Sequence, residues 1–133
     1  MGVDKGSILP SEAQEQAALF TRCRGVEWKY PELRLLHHIP NGGSRNAAEA
    51  ANLRRQGVKP GVPDIFLPVA RGGYHGLYIE LKRRQGGRVS AAQKEFLTAV
   101  KKQGYYSICC RGAGQAYNVI IMYLEGRILK HED

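Results

Sequence analysis

Glu80 and Lys82 stand two residues apart within the run Leu77-Tyr78-Ile79-Glu80-Leu81-Lys82. On a strand such a pair leaves one face together while Leu81 points to the other, so an anion is set beside a cation. Upstream, Gly61-Val62-Pro63-Asp64 leads into Ile65-Phe66-Leu67, with Asp64 opening a second strand. Strands over residues 64–69 and 76–82 are joined by Arg71-Gly72-Gly73, a turn for which an antiparallel hairpin is the simplest connection. Asp64 then lies alongside Glu80. Two close carboxylates raise each other's pKa unless a cation neutralises them, and oxygen ligands of this kind suit Mg²⁺ or Mn²⁺ held partly by water. An ion so held lowers the pKa of bound water and stabilises charge on a phosphoryl group, while the lysine steadies developing negative charge. Those are the needs of phosphodiester hydrolysis. Each part alone has a plainer reading, since E-x-K on a strand is a common salt bridge and Pro-Asp commonly starts a turn. The spacing, the glycine turn and the apolar flanks together favour the chemical one.

The elements that must position these groups follow from periodicity and punctuation. Ser11 caps a helix from Glu12 to about Cys23, with Ala13, Ala17, Leu19 and Phe20 on its apolar side. Residues 33–39, with Leu35, Leu36 and Ile39, read as a short strand stopped by Pro40-Asn41-Gly42-Gly43. Ser44 opens a basic helix over residues 45–56. Ser90 caps another, 91–103, with Ala92, Phe96, Ala99 and Val100 inward and Gly104 ending it. Residues 105–110 form a strand, and the apolar run in 115–125 reads as a final buried helix in preference to an edge strand. The order implies an α/β fold with a mixed central sheet flanked by helices.

Composition bounds the function. With 133 residues the chain is expected to be one domain, 1–133, its core spanning about 11–126. Hydrophobic residues make up 43% and charged residues 24%, too apolar a mixture for a wholly disordered chain. No apolar run approaches the ~20 residues that span a bilayer, and the N-terminus lacks a secretory stretch, so the expectation is a protein that stays inside the cell. Lys plus Arg number 20 against 12 Asp plus Glu, a net charge of +8 that attracts polyanions, with nucleic acid the natural partner. Arg45, Arg54, Arg55, Lys59, Arg83, Arg84 and Arg88 are expected to form a phosphate-contacting rim, adding affinity and salt sensitivity without reading sequence. Asn41, with Gly42 and Gly43, offers further donors to a phosphate, although a strand-ending turn explains the same residues.

Other chemistry-bearing residues fit less well. Cys23, Cys109 and Cys110 suit neither a disulfide framework nor a CxxC zinc site and read as reduced thiols. His37 and His38 adjoin on a strand and so point apart, and His75 falls in the hairpin turn, which gives no histidine cluster for a metal. Tyr105 and Tyr106 alternate at a strand start, one packed and the other exposed.

Gly61-Val62-Pro63-Asp64, Tyr78-Ile79-Glu80-Leu81-Lys82, Ser90-Ala91-Ala92-Gln93-Lys94 and, between the first two helices, Ile39-Pro40-Asn41-Gly42-Gly43 occur in an order that strongly resembles the virus-type replication-repair nuclease (VRR-NUC) domain of the PD-(D/E)XK superfamily. The resemblance extends from about Glu12 to Leu124 and looks like a stand-alone phage or prophage version. It implies a restriction-endonuclease-like core, Mg²⁺ or Mn²⁺ as cofactor, Asp64 and Glu80 as metal ligands with the Leu81 backbone carbonyl, Lys82 as the catalytic lysine and Gln93 as a further site residue. An acid on the first helix usually completes such a site. Glu12 and Glu15 are both available, and Glu12 is preferred because its E-x-x-x-Q pattern with Gln16 better matches the family. By the same resemblance the substrate is expected to be branched DNA such as a Holliday junction, cut by a homodimer in the cytoplasm of a bacterial host. A non-catalytic DNA-binding module and a restriction-like enzyme acting on linear duplex are the alternatives.

Overall fold

The computed structural model describes residues 8–40 and 46–131. Helix α1 (Glu12–Arg24) is followed by a 3-10 turn (Pro31–Leu35), strand β1 (His37–His38) and helix α2 (Ala47–Arg55). Then come β2 (Ile65–Leu67), β3 (Leu77–Lys82), α3 (Ala91–Lys102), β4 (Tyr106–Arg111) and α4 (Ala113–Leu124). The strands lie in chain order, β1-β2-β3-β4, the first two pairings antiparallel and β3 with β4 parallel through the α3 crossover. This is the expected mixed sheet. Among the described residues no helix is long and apolar enough to cross a membrane.

Capping residues fix the helix starts. Ser11 with Gln14, and Ser90 with Gln93, each form a reciprocal capping box in which the serine hydroxyl accepts from the third helical N–H and the glutamine side chain accepts from the serine N–H. The α2 cap is Asn46, whose Oδ1 accepts from Glu49 N at 2.7 Å; Ser44, expected in that role, lies outside the described residues.

One sheet face carries the main core. Ile65, Leu67, Leu77, Ile79, Leu81 and Cys110 pack under Leu19 and Cys23 of α1 and Ala116, Ile120, Tyr123 and Leu124 of α4. The buried stripe of α1 is Glu15, Leu19, Cys23, one residue per turn; Ala13 and Ala17, expected inward, are exposed. α3 covers the opposite face, where Phe96 meets the Tyr78 ring edge-on and the buried Ser107 hydroxyl donates to Leu97 O at 2.8 Å. Leu97 is the buried residue of that helix, and Ala99 is exposed rather than inward.

The strand expected over 33–39 is mostly a 3-10 turn. Leu33 and Leu36, both buried, are three apart, a spacing that matches the 3-10 repeat and not the two-residue repeat of a strand, while Leu35 is left exposed. Only His37 and His38 pair with β2. β2 also ends early because Pro68 has no N–H to continue the ladder. Tyr105 and Tyr106 are both half-buried, Tyr105 against Tyr78 and Tyr106 against Tyr74 and Tyr123, so each packs on its own face.

Candidate active site

The β2–β3 register pairs Ile65 with Ile79, which sets Asp64, one residue earlier, opposite Glu80. Asp64 is pinned from both sides. Its Oδ2 accepts from Leu81 N at 2.8 Å, and its backbone carbonyl accepts from Ile39 N at 2.7 Å and contacts His38 Nδ1 at 2.8 Å. The preceding glycine explains how α3 joins them. Gly61 has φ +86°, and a Cβ there would fall 2.4 Å from the Ala92 carbonyl oxygen, so only glycine lets this loop lie against the first turn of α3. That contact brings Gln93 to Glu80.

Glu80 is 1% exposed and Lys82 7%, the two side chains leaving the same face of β3 as their spacing requires. Lys82 Nζ lies 3.5 Å from Glu80 Oε2, and Gln93 Nε2 donates to the same oxygen at 3.1 Å. Gln93 makes two kinds of contact. Its Oε1 accepts from Ser90 N at 2.8 Å to close the capping box, and its amide nitrogen orients a carboxylate. The second Glu80 oxygen, Oε1, is buried with no hydrogen-bond partner. Burial and then the neighbouring Asp64 carboxylate push the Glu80 carboxyl up to about 8, against the opposing pull of Lys82. An unpartnered buried carboxylate oxygen beside a second carboxylate is costly unless a proton or a cation is supplied.

These donors are all oxygen, which suits a hard divalent ion that keeps several of its waters and takes only one or two carboxylates from the protein. The residues therefore fit Mg²⁺ or Mn²⁺ through Asp64, Glu80 and the backbone at Leu81, whose side chain is buried in the main core. Among the described residues no group of three or more His, Cys, Asp and Glu side chains is assembled for a metal. The third acid expected with Asp64 and Glu80 is Glu12. Glu12 is exposed at the rim, its Oε2 3.5 Å from the point a Cβ on Gly87 would occupy, with Lys82 Cδ 3.8 Å from that same point. Glu15, the other acid on α1, is only 5% exposed and fully engaged: it pairs with Arg84 Nε at 3.0 Å and accepts from Ala113 N at 3.1 Å, capping α4 where Gly112 has no side chain to do so.

The expected basic rim divides. Arg54, Arg55, Lys59 and Arg88 are exposed, although Arg55 also donates to Asn52 Oδ1 at 2.9 Å, and Arg83 is half-buried. Arg84 is tied to Glu15, so part of its charge is already answered within the protein. Asn41 and Arg45 lie outside the described residues. Arg111 was not singled out by sequence, yet it pairs with Lys82 in the β3–β4 register and binds the loop that leaves the site. Only the parallel pairing reveals it. The histidines stay apart from the carboxylates as a group: His37 packs edge-on to Phe66 and His75 on Tyr105, while His38 meets only the backbone of Asp64. The thiols are free; burial pushes Cys23 up to about 11 and Cys110 up to about 12.

Comparison with known proteins adds two findings. The family model described as the VRR-NUC domain matches residues 5–114. A solved structure described as a VRR_NUC domain protein superposes with a TM-score of 0.76 at 31% sequence identity, over 88% of this chain and 90% of that one. A search of curated protein sequences gave no significant match.

Proposed function

The chain belongs to the VRR-NUC family and has its PD-(D/E)XK-like architecture, and from that premise we propose that it is a Mg²⁺- or Mn²⁺-dependent DNA endonuclease. The single observation that carries this reading is the buried, unpartnered Oε1 of Glu80, a residue that has the Asp64 carboxylate as a neighbour and holds Lys82 through its other oxygen. In this reading Asp64, Glu80 and the Leu81 carbonyl hold the ion, with Glu12 as the third acid. When bound, the ion supplies an acidified water and Lewis-acid stabilisation of the phosphoryl oxygens.

The protein's own groups do the rest. Lys82 places its ammonium where negative charge develops on the phosphate and on the attacking water oxygen. Its neighbour Glu80 keeps that ammonium in position, and Gln93 fixes the rotamer of Glu80 from the first turn of α3. Water oxygen would bond to phosphorus as the ester P–O bond breaks, the water giving up a proton to solvent and the leaving oxygen taking one from solvent, so no protein-linked intermediate forms. The exposed cations Arg54, Arg55, Lys59 and Arg88 hold the DNA backbone, with Asn41 and Arg45 assigned to the same rim.

The finer proposal is that the substrate is branched DNA, a four-way junction above all, and that two copies act together, since a pair doubles the contact surface and sets two sites on one junction. A phage or prophage setting in a bacterial cytoplasm goes with that proposal. The test compares labelled four-way junction, flap and linear duplex with Mg²⁺, with Mn²⁺ and with chelator. The expected result is symmetric nicks in the junction, lost in chelator and in Asp64→Ala and Lys82→Ala. Junction binding without cleavage under any metal makes the protein a silent binding module, and equal cutting of linear duplex makes it restriction-like.

A further inference from the structure

Arg111 ends β4 and turns its guanidinium toward the loop that joins Lys82 to Ser90. Nη1 donates to the carbonyls of Arg83 at 3.2 Å and Gly86 at 2.6 Å, and Nη2 to the carbonyl of Gly87 at 3.2 Å. One side chain therefore gathers three carbonyls of a six-residue stretch, 83–88. Among the described residues there are no cis peptide bonds, and across a trans peptide the C=O and the following N–H point in opposite directions. The N–H groups of Arg84, Gly87 and Arg88 consequently point away from Arg111. Gly86 and Gly87, with φ of +77° and +67°, supply the left-handed backbone that turns two consecutive carbonyls to one side.

The outer side of this loop is open. Residues 84–88 are exposed, a Cβ on Gly86 would meet nothing within 4 Å, and the Gly87 and Arg88 N–H groups have no hydrogen-bond partner among the described residues. Successive outward N–H groups of this kind make an anion-binding concavity. The loop also lies beside Lys82, because a Cβ on Gly87 would lie 3.8 Å from Lys82 Cδ. Glu12 Oε2 lies 3.5 Å from that same point and Glu15 pairs with Arg84 at 3.0 Å, two anions set against the cations Lys82, Arg84 and Arg88.

We propose that loop 83–88 is a backbone phosphate subsite, in which the Gly87 and Arg88 N–H groups receive a non-bridging oxygen of a DNA phosphate next to the one cleaved. Arg111 is the positioning residue that holds them outward. The proposal rests on the nuclease reading and adds to it a contact with DNA made through main chain rather than through side-chain charge.

The test follows the amide resonances of ¹⁵N-labelled protein as a short DNA duplex is added in chelator, alongside affinities measured over a range of salt. Gly87 and Arg88 amides are expected to show some of the largest shifts. Arg111→Met removes those shifts and weakens binding roughly tenfold, the loss of about one charge-assisted hydrogen-bonding group. Because the lost contacts are neutral N–H groups, the slope of log affinity against log salt stays near the wild-type value, whereas loss of a direct phosphate cation lowers it by about 0.9. Arg111→Lys restores part of both. If other amides shift while Gly87 and Arg88 stay still, the subsite is wrong and the nuclease reading stands. A drop in slope with unmoved loop amides makes Arg111 an ordinary phosphate contact. If DNA moves no resonance at all, both readings fall. The wild-type titration decides the matter even if the Arg111→Met protein fails to fold.

Discussion

Replacing Glu80 by Gln keeps the shape of the side chain and removes its charge, and the consequence for stability can be worked out with its sign. In the metal-free protein the Glu80 carboxyl sits at about 8 against an ordinary 4.5, raised by burial and by Asp64. Below the ordinary value both folded and unfolded chains hold this proton and nothing is lost. As pH rises from 4.5 the unfolded chain releases the proton while the folded one keeps it, so stability falls until the folded group also ionises near 8. At about 1.4 kcal/mol per pH unit the full span is a ceiling of roughly 5 kcal/mol, and entry of water on ionisation brings it to roughly 2–4 kcal/mol. Glutamine is neutral throughout, and its carbonyl still accepts from Gln93. Glu80→Gln is therefore expected to match wild type near pH 4 and to exceed it near pH 8.5, with a urea midpoint higher by roughly 1–2 M in chelator. Millimolar Mg²⁺ narrows the gap by stabilising only the wild type, because a ligand that binds the folded state adds its binding free energy to folding. Urea unfolding followed by far-UV circular dichroism, with and without chelator, measures all of this. A variant equally destabilised at both pH values refutes the reasoning, since it would mean that Glu80 contributes packing and hydrogen bonding and no electrostatic frustration.

The two acids of α1 separate by the same kind of measurement. Glu15→Ala strips the α4 cap and leaves Arg84 without its partner, and is expected to cost roughly 2–3 kcal/mol in chemical denaturation, while Glu12→Ala, at an exposed position, changes stability by less than about 0.5 kcal/mol. Gly61→Ala forces a Cβ to 2.4 Å from the Ala92 carbonyl at φ +86°, and a loss of more than about 2 kcal/mol is expected in thermal or urea melts. Burial raises the Cys23 and Cys110 thiols to about 11 and about 12, so neither reacts with a thiol reagent in the native protein near pH 8. Cys109, half-buried, reacts slowly, and all three titrate in urea; rapid native labelling of two or more thiols contradicts the buried placement.

Much of the site was written in local spacing. Glu80 and Lys82 are two apart on a strand, the glycine turn between the strands dictates a hairpin, and Asp64 at the mouth of that hairpin has nowhere to go but beside Glu80. Gln93 follows from Ser90, because a capping box places its third residue at the exposed start of the helix. Residues distant in sequence were harder to place. The choice between Glu12 and Glu15 turned on pattern, and pattern carries no information on which acid lies under α4. Leu35, Leu36 and Ile39 read as a strand, and only the burial of Leu33 and Leu36 in the core shows that the three-residue spacing prevails.

Local chemistry in the sequence thus determined the element order, the carboxylate pair and its lysine, since each depends on neighbours within a hairpin or a helical turn. Tertiary structure alone decided that Glu15 caps a helix nearly a hundred residues away, and that Arg111, though exposed, binds the carbonyls of a loop. Those contacts depend on which strands and helices become adjacent when a shared core is buried, and that adjacency is a property of the whole chain.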